Sequence, residues 1–288
     1  MKVLITGGNG FLGKELRMQF QKNNYDVIAT GLGKDRISYH NHIYLELDIQ
    51  SPSKCLEVLQ KHQPSIIINA AALTDVDRCQ LNQSECLSIN CDSLNNFIPY
   101  SIENRIHFIQ ISTDFVFNGK KGEYKENDFC DPVNYYGFSK LEAENKIIKS
   151  GVDYAIIRTS LLYNLTGNNF LTRFIKKIKE NVELKIVDDQ YRTPTYIFDL
   201  VSAILIIVKL KKNGIYHISS GESLSIFDIV CNFVKNMDSN TSLIKNISTK
   251  DLSQKAIRPI NSSLLIDKAK KDFNFTPMNL NDVINRFL

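Results

Sequence analysis

Lys2-Val3-Leu4-Ile5-Thr6-Gly7-Gly8-Asn9-Gly10-Phe11-Leu12-Gly13 decides the fold of this 288-residue chain. A short apolar, β-branched run ends in a glycine turn, and Lys14 to Lys22 then reads as a helix. Strand, glycine turn and helix in that order open a dinucleotide-binding α/β unit. Glycines at 7, 10 and 13 allow a tight turn, close approach of backbone to a pyrophosphate, and close packing of helix on strand. The helix N-terminus then faces the anion. The spacing is G-x-x-G-x-x-G rather than G-x-G-x-x-G, so the assignment leans on the strand and helix on either side.

The next strand is Asp26-Val27-Ile28-Ala29-Thr30. A site for NAD usually places an acidic residue at the end of this strand, against the ribose diol. Here Thr30-Gly31 stands there, and Lys34 and Arg36 follow. A basic loop without a carboxylate suits a 2′-phosphate, so NADPH is the expected cofactor, with NADH the weaker alternative. Asp48-Ile49, after a strand from Ile43 to Leu47, is placed to meet the adenine ring. Ile66-Ile67-Ile68-Asn69-Ala70-Ala71-Ala72 is an apolar strand ending in small residues. Ala71 and Ala72 at that point let the backbone approach the nicotinamide ribose.

Ile111-Ser112-Thr113-Asp114-Phe115-Val116-Phe117 supplies a hydroxyl at a strand end, and Asn134-Tyr135-Tyr136-Gly137-Phe138-Ser139-Lys140 supplies a Tyr and a Lys one helical turn apart. Residues at i and i+4 share a helix face. The Lys140 ammonium under the Tyr136 phenol favours the phenolate and brings a pKa of ~10 toward working pH. Such a phenol exchanges a proton with a substrate oxygen, and a carbonyl held by Thr113 and Tyr136 can accept a hydride. The Tyr-Lys spacing alone is weak in a chain with 12 Tyr. It gains weight from the nucleotide-binding pattern upstream.

Together these segments resemble the extended short-chain dehydrogenase/reductases, and among them most closely the dTDP-4-dehydrorhamnose reductase group. The motifs that carry the resemblance are TGGNGFLG from Thr6, INAAALTDVD from Ile68, STDFVFNG from Ser112, YYGFSK from Tyr135, Arg158-Thr159-Ser160, Gly167-Asn168-Asn169-Phe170, Asp189-Gln190, Pro194-Thr195 and Arg258-Pro259. The resemblance implies Thr113, Tyr136 and Lys140 as the catalytic set. It implies cofactor contacts at Gly7, Gly10, Phe11, Leu12, Gly13, Thr30, Lys34, Arg36, Asp48, Ile49, Ala71, Ala72, Thr74, Ser112, Tyr136 and Lys140. It implies substrate contacts at Thr113, Asp114, Phe115, Leu161, Asn169 and Arg258. The chain departs from the family at two positions that line the sugar pocket: Phe115 stands where a Tyr is common, and Leu161 where a Trp follows Arg-Thr-Ser.

The implied activity is NADPH-dependent reduction of the keto group of a nucleotide-linked 4-keto-6-deoxy sugar, a step of deoxysugar and polysaccharide biosynthesis. Nucleotide-sugar dehydratases of the same superfamily carry Asp-Glu after the catalytic Thr. Asp114 is followed here by Phe115, so elimination of water is disfavoured. The alternatives are a nucleotide-sugar epimerase and a non-catalytic NADP-binding regulatory subunit like that of methionine adenosyltransferase. Some members of the family form metal-bridged dimers. Glu15 stands in the first helix, but no acidic partner accompanies it near Tyr196-Ile197, so no metal is expected and a homodimer stays open.

Alternating strands and helices through Arg158 predict an α/β, doubly wound parallel sheet of Rossmann type. Residues 1–160 are expected to form the dinucleotide-binding domain and 161–288 a smaller C-terminal α/β substrate lobe, interleaved with the first. Helices are expected near 168–180, 196–211, 225–237, 265–273 and 280–287, with strands near 184–187 and 214–218. Pro99, inside an otherwise helical stretch from Ser84 to Glu103, is expected to kink or end it. At 43% hydrophobic the chain can bury a sizeable core. The first residues form a strand rather than a signal peptide. The apolar run Val201 to Val208 is too short to span a membrane. The six cysteines have neither a C-x-x-C nor a His at metal spacing. Reduced thiols in a cytoplasmic protein follow. Residues 161–288 hold 18 Lys+Arg and 12 Asp+Glu, and residues 1–160 hold 17 and 19. The basic second half suits a sugar diphosphate. The cations lack interleaved aromatics, so nucleic-acid binding is not expected.

Overall fold

The computed structural model describes residues 1–37, 42–236 and 241–287. The strands and helices of the first half are β1 (Lys2–Thr6), α1 (Phe11–Lys22), β2 (Asp26–Gly31), β3 (Ile43–Glu46), α2 (Pro52–His62), β4 (Ile66–Asn69), α3 (Val76–Leu81), α4 (Gln83–Asn90), α5 (Ile98–Glu103), β5 (His107–Thr113), α6 (Tyr135–Ser150) and β6 (Tyr154–Thr159). Those that follow are β7 (Leu162–Tyr163), α7 (Phe170–Lys179), β8 (Leu184–Val187), β9 (Tyr191–Arg192), β10 (Thr195–Tyr196), α8 (Ile197–Leu210), β11 (Gly214–His217), β12 (Leu224–Ser225), α9 (Ile226–Asn236), β13 (Ile244–Ile247), α10 (Asp267–Phe273) and α11 (Leu280–Phe287).

Among the described residues, seven strands form one sheet in the order β11-β6-β5-β4-β1-β2-β3. The pairings of β1 with β2 and β4, of β2 with β3 and of β4 with β5 are all parallel. The order reverses beside β1, as in doubly wound sheets, whose ligands sit beyond the strands' carboxyl ends at that switch point. Strands covered on both faces read as continuous apolar runs, and Ile66, Ile67 and Ile68 of β4 are all buried.

The chain forms two compact units. The first comprises Met1–Thr113, Asn134–Ile157 and Val201–Ile215. Its core includes Leu4, Ile28, Ile67, Phe108, Ala143 and Ile147. The second comprises Asp114–Val133, Arg158–Leu200 and Tyr216–Leu288. Its core includes Tyr163, Ile175, Ile186, Ile229, Phe233 and Val283.

Two local expectations are corrected. The first helix begins at Phe11, not Lys14, because Gly10 with an extended backbone takes the N-cap position. Gly13 therefore lies in the first turn. The stretch from Ser84 to Glu103 is not one helix kinked at Pro99. It breaks at Cys91 and again at Phe97, with a 3-10 segment over Asp92–Asn96. Pro99 sits in the first turn of α5, where its missing N–H has no helical partner to lose.

Candidate active site

The glycine turn is built by contact. Gly7 has φ +69°, and a Cβ there would lie 2.7 Å from the Ala71 nitrogen. A Cβ on Gly13 would lie 2.1 Å from the Gly7 carbonyl oxygen. Both are far inside van der Waals contact, so neither position admits a side chain. Behind the turn, Thr6 Oγ1 donates to Asn69 Oδ1 at 2.5 Å and Asn69 Nδ2 to Gln110 Oε1 at 2.8 Å. This buried relay aligns the ends of β1, β4 and β5. The Ala71 N–H also reaches Thr6 Oγ1, at 3.2 Å, which draws the small residues after β4 against the turn.

A cleft of about 470 Å³ opens on the turn. Of the residues expected to hold the cofactor, Gly7, Gly10, Arg36, Asp48, Ile49, Ala71 and Ala72 line it. The first turn of α1, a bare glycine cradle and a flanking cation are what a dinucleotide pyrophosphate needs. The other candidates lie elsewhere. Phe11, Leu12 and Gly13 form the first turn of α1, with Leu12 in the core. Thr30 is fully buried, and its carbonyl accepts from the Gly8 N–H at 2.7 Å. Thr74 is exposed ahead of α3, and Lys34 is exposed while its carbonyl accepts from Asn9 Nδ2 at 3.0 Å.

The loop after β2 is not free of carboxylate. Asp35 lies between the two cations and accepts from Arg17 Nη2 at 2.7 Å. His42 Nε2 is 3.0 Å from the same oxygen. Partial burial pushes the Asp35 carboxyl up, but the hydrogen bonds from Arg17 and His42 outweigh it and hold the group well below the usual carboxylate range. The expectation of a loop without an acid read only the strand end.

The proposed proton-handling residues sit at the end of β5 and the start of α6. Asn134 caps α6, its side chain accepting from the Gly137 N–H at 2.9 Å. Gly137, Lys140, Ala143, Glu144 and Ile147 form the buried stripe, so the helix turns Lys140 inward. Lys140 Nζ donates to the Ile111 carbonyl at 2.6 Å. Burial lowers the Lys140 pKa to about 8, against the opposing pull of Glu144. Ser112 donates a short hydrogen bond to Glu144. Thr113, the last residue of β5, is buried, and Tyr136 is half-buried one turn before Lys140.

Asn90 was not singled out from the sequence. Its Nδ2 reaches the Leu73 carbonyl at 3.1 Å and Ser139 Oγ at 2.9 Å, and its Oδ1 accepts from the Leu73 N–H at 2.8 Å. Ser139 in turn donates to the Tyr136 carbonyl at 2.8 Å. Asn90 thus ties the segment after β4 to the helix that carries Tyr136. A polar residue on the buried face of a short helix is the only trace it leaves in the sequence.

The expected substrate residues after Thr113 belong to the second unit. Asp114 is buried, accepts a short hydrogen bond from Ser262 and faces Arg192 Nε at 3.7 Å. The Arg192 guanidinium lies 5.1 Å from the centre of the Phe115 ring. Burial pulls the Arg192 pKa down to about 10, while Asp114 supports its charge and Arg258 opposes it. Arg258 donates to the Ala256 carbonyl at 2.7 Å. Leu161 is half-buried against the core of this unit, with φ +39°. Asn169 is used as a cap: its oxygen accepts from the Leu171 N–H at 3.1 Å, and its Nδ2 donates to the Asn164 and Thr166 carbonyls. Its amide is occupied in starting α7.

All six cysteines are free thiols. Among the described residues no group of three or more His, Cys, Asp or Glu could hold a metal ion, and no helix is long and apolar enough to cross a membrane.

Comparison with known proteins places the chain in a family. A dTDP-4-dehydrorhamnose reductase of Aggregatibacter actinomycetemcomitans is 31% identical, covering 96% of this chain and 94% of that protein. The spore coat polysaccharide biosynthesis protein SpsK of Bacillus subtilis is also 31% identical, over 100% and 96% of the two chains. The crystal structure of a dTDP-4-dehydrorhamnose reductase from Bacillus anthracis in complex with NADP superposes with a TM-score of 0.89 at 30% identity, covering 99% and 98%. The family described as RmlD substrate binding domain matches residues 1–288. From end to end, then, this chain belongs to the RmlD substrate binding domain family.

Proposed function

We propose that this protein is an NADPH-dependent reductase that converts the keto group of a nucleotide-linked 4-keto-6-deoxy sugar to a hydroxyl. The observation that carries this is the side-chain-free cradle at Gly7 and Gly13, in a chain related along its full length to dTDP-4-dehydrorhamnose reductases. NADPH in the cleft would supply a hydride for the keto carbon. Thr113 polarises the carbonyl oxygen by donating a hydrogen bond. Tyr136 gives its phenolic proton to the same oxygen as negative charge develops there, and solvent restores that proton. Lys140, a buried cation one helical turn on, favours the phenolate and holds the nicotinamide ribose. Asp114 binds a sugar hydroxyl. The balance is one ketone, one NADPH and one proton giving one alcohol and one NADP⁺. Six free thiols suit the reducing cytoplasm as the place of action.

The test is NADPH consumption against a panel of dTDP-, UDP-, GDP- and CDP-linked 4-keto-6-deoxy sugars. Stoichiometric consumption with one class supports the reading. Turnover of a sugar without net loss of NADPH would make the protein an epimerase. Tight NADPH binding with no turnover of any sugar would point to a non-catalytic NADP-binding role.

A further inference from the structure

The loop from Leu32 to Ile37 carries a carboxylate, Asp35, beside the expected phosphate cations. Its main chain is fixed by Asn9, whose Nδ2 reaches the Leu32 and Lys34 carbonyls at 3.1 and 3.0 Å and whose Oδ1 accepts from the Arg36 N–H at 3.1 Å. Arg36 and Leu32 line the cleft with Asn9. Between them Asp35 is bound from behind. One oxygen accepts from Arg17 Nη2 at 2.7 Å, with His42 at 3.0 Å, and the other accepts from the Ile37 N–H at 3.0 Å.

Arg17 is built for this task. Its side chain is 1% exposed. Its Nη1 donates to the Gly8 carbonyl at 3.2 Å, and its guanidinium lies 5.1 Å from the centre of the Tyr44 ring. The Tyr44 hydroxyl donates to the Gly33 carbonyl at 2.8 Å. Arg17 is thus gripped between the glycine turn and the loop, with one terminal nitrogen, Nη2, on Asp35 and the other on Gly8. A buried cation needs a partner, and the Asp35 side chain, 28% exposed, supplies it.

We propose that Arg17 and His42 determine cofactor choice by sequestering Asp35, so that the loop meets a 2′-phosphate with Arg36 and without an opposing carboxylate. This rests on the assignment of NADPH to the cleft. A carboxylate free to turn outward would accept a hydrogen bond from a ribose 2′-hydroxyl and repel a 2′-phosphate. Paired with Arg17, it does neither. The pair is neutral, so the field at the loop is that of its remaining cations.

The experiment measures dissociation constants of NADPH and NADH by nicotinamide fluorescence, which needs no sugar substrate. The proteins compared are wild type, Arg36→Ala, Arg17→Met, His42→Gln, and the double variant Arg17→Met/Asp35→Asn. Wild type should favour NADPH. Arg17→Met should cut that preference about tenfold, the effect of one lost or gained charge-assisted contact. Both constants should move, with NADPH weaker and NADH tighter. His42→Gln removes a ring that touches both Arg17 Nη2 and Asp35 but retains Arg17 itself, and it should shift the preference the same way by a smaller factor, so the test stands even if Arg17→Met does not fold. Adding Asp35→Asn to Arg17→Met should restore the NADPH preference, which no general loosening of the glycine turn would do. An unchanged NADH/NADPH ratio in both Arg17→Met and His42→Gln, or equal weakening of both cofactors without rescue, would overturn the proposal. Failure of wild type to bind NADPH, or indifference of NADPH binding to Arg36→Ala, would instead overturn the cleft assignment and the proposal with it.

Discussion

The ammonium of Lys140 donates to the main-chain carbonyl of Ile111 at 2.6 Å, two residues before the end of β5. That bond ties the helix of the proposed proton donor to the strand of the proposed carbonyl-polarising hydroxyl.

Burial brings the Lys140 pKa from 10.5 to about 8. The folded protein therefore releases this proton before the unfolded chain does. The buried charge costs stability below pH 8. Between pH 8 and the unfolded value, stability rises with pH, because the unfolded chain holds the proton that the folded one has lost. Thermal unfolding of Lys140→Met and wild type should show this: the Tm of Lys140→Met minus that of wild type should be more positive at pH 7 than at pH 10. Catalysis runs the other way. In the proposed mechanism the cation assists Tyr136, so wild-type kcat should fall as pH rises through about 8, and Lys140→Met should be slow throughout.

Tyr136→Phe keeps the ring and removes the titrating hydroxyl. General acid–base catalysis contributes ~10²–10⁴-fold. Steady-state kinetics should show a kcat loss of that order, with NADPH affinity retained. Near-normal turnover would remove Tyr136 from the mechanism.

Two glycines with different surroundings separate contact from conformation. An alanine Cβ at position 13 would lie 2.1 Å from the Gly7 oxygen, whereas at Gly33 nothing stands within 4 Å and only φ +71° opposes a side chain. Gly33→Ala should cost about 1–2 kcal/mol and keep NADPH binding. Gly13→Ala must displace the turn itself, and overpacking of this kind costs ~1–3 kcal/mol or more. Its NADPH dissociation constant should rise at least tenfold. Denaturant unfolding and fluorescence titration on both variants check the contrast.

Leu161 stands where the resemblance implies an aromatic ring, and it does so at φ +39°. A left-handed backbone costs a branched residue about 1–2 kcal/mol, so the position is held by its surroundings rather than by its own preference. Leu161→Gly should lose substrate affinity while recovering part of that strain. Leu161→Trp should raise kcat/KM for dTDP-4-dehydrorhamnose or leave it unchanged if leucine is a tolerated variation. If the pocket is shaped for another sugar, wild type should turn over dTDP-4-dehydrorhamnose poorly, and an efficient wild type would end that idea.

The features legible in the sequence were local. A strand, a glycine turn and a helix are written in consecutive residues, and Tyr136 and Lys140 need only one helical turn to share a face. Features that depend on distant partners were not legible. The expectation of a loop without a carboxylate passed over Asp35, and the residue that neutralises it, Arg17, is 18 positions earlier on a different element. Asn90 acts through Leu73 and Ser139, which the chain brings together only on folding. Asn169 illustrates an ambiguous signal: Asn169-Phe170-Leu171-Thr172 is also a helix-start pattern, and the structure uses it as a capping box. The two-residue strands β9 and β12 are too short to show an alternating pattern.

The proposed reaction is hydride transfer to a sugar ketone with Tyr136 as proton donor. That step is followed by supplying the 4-keto sugar with NADPH dideuterated at nicotinamide C4, so that transfer from either face carries the label, and reading the product by mass spectrometry and NMR. One deuterium on sugar C4 is expected for each NADPH consumed, none at other carbons, and a rate ~10²–10⁴-fold lower in Tyr136→Phe. A product without cofactor-derived deuterium, or a Tyr136→Phe variant as fast as wild type, would contradict it.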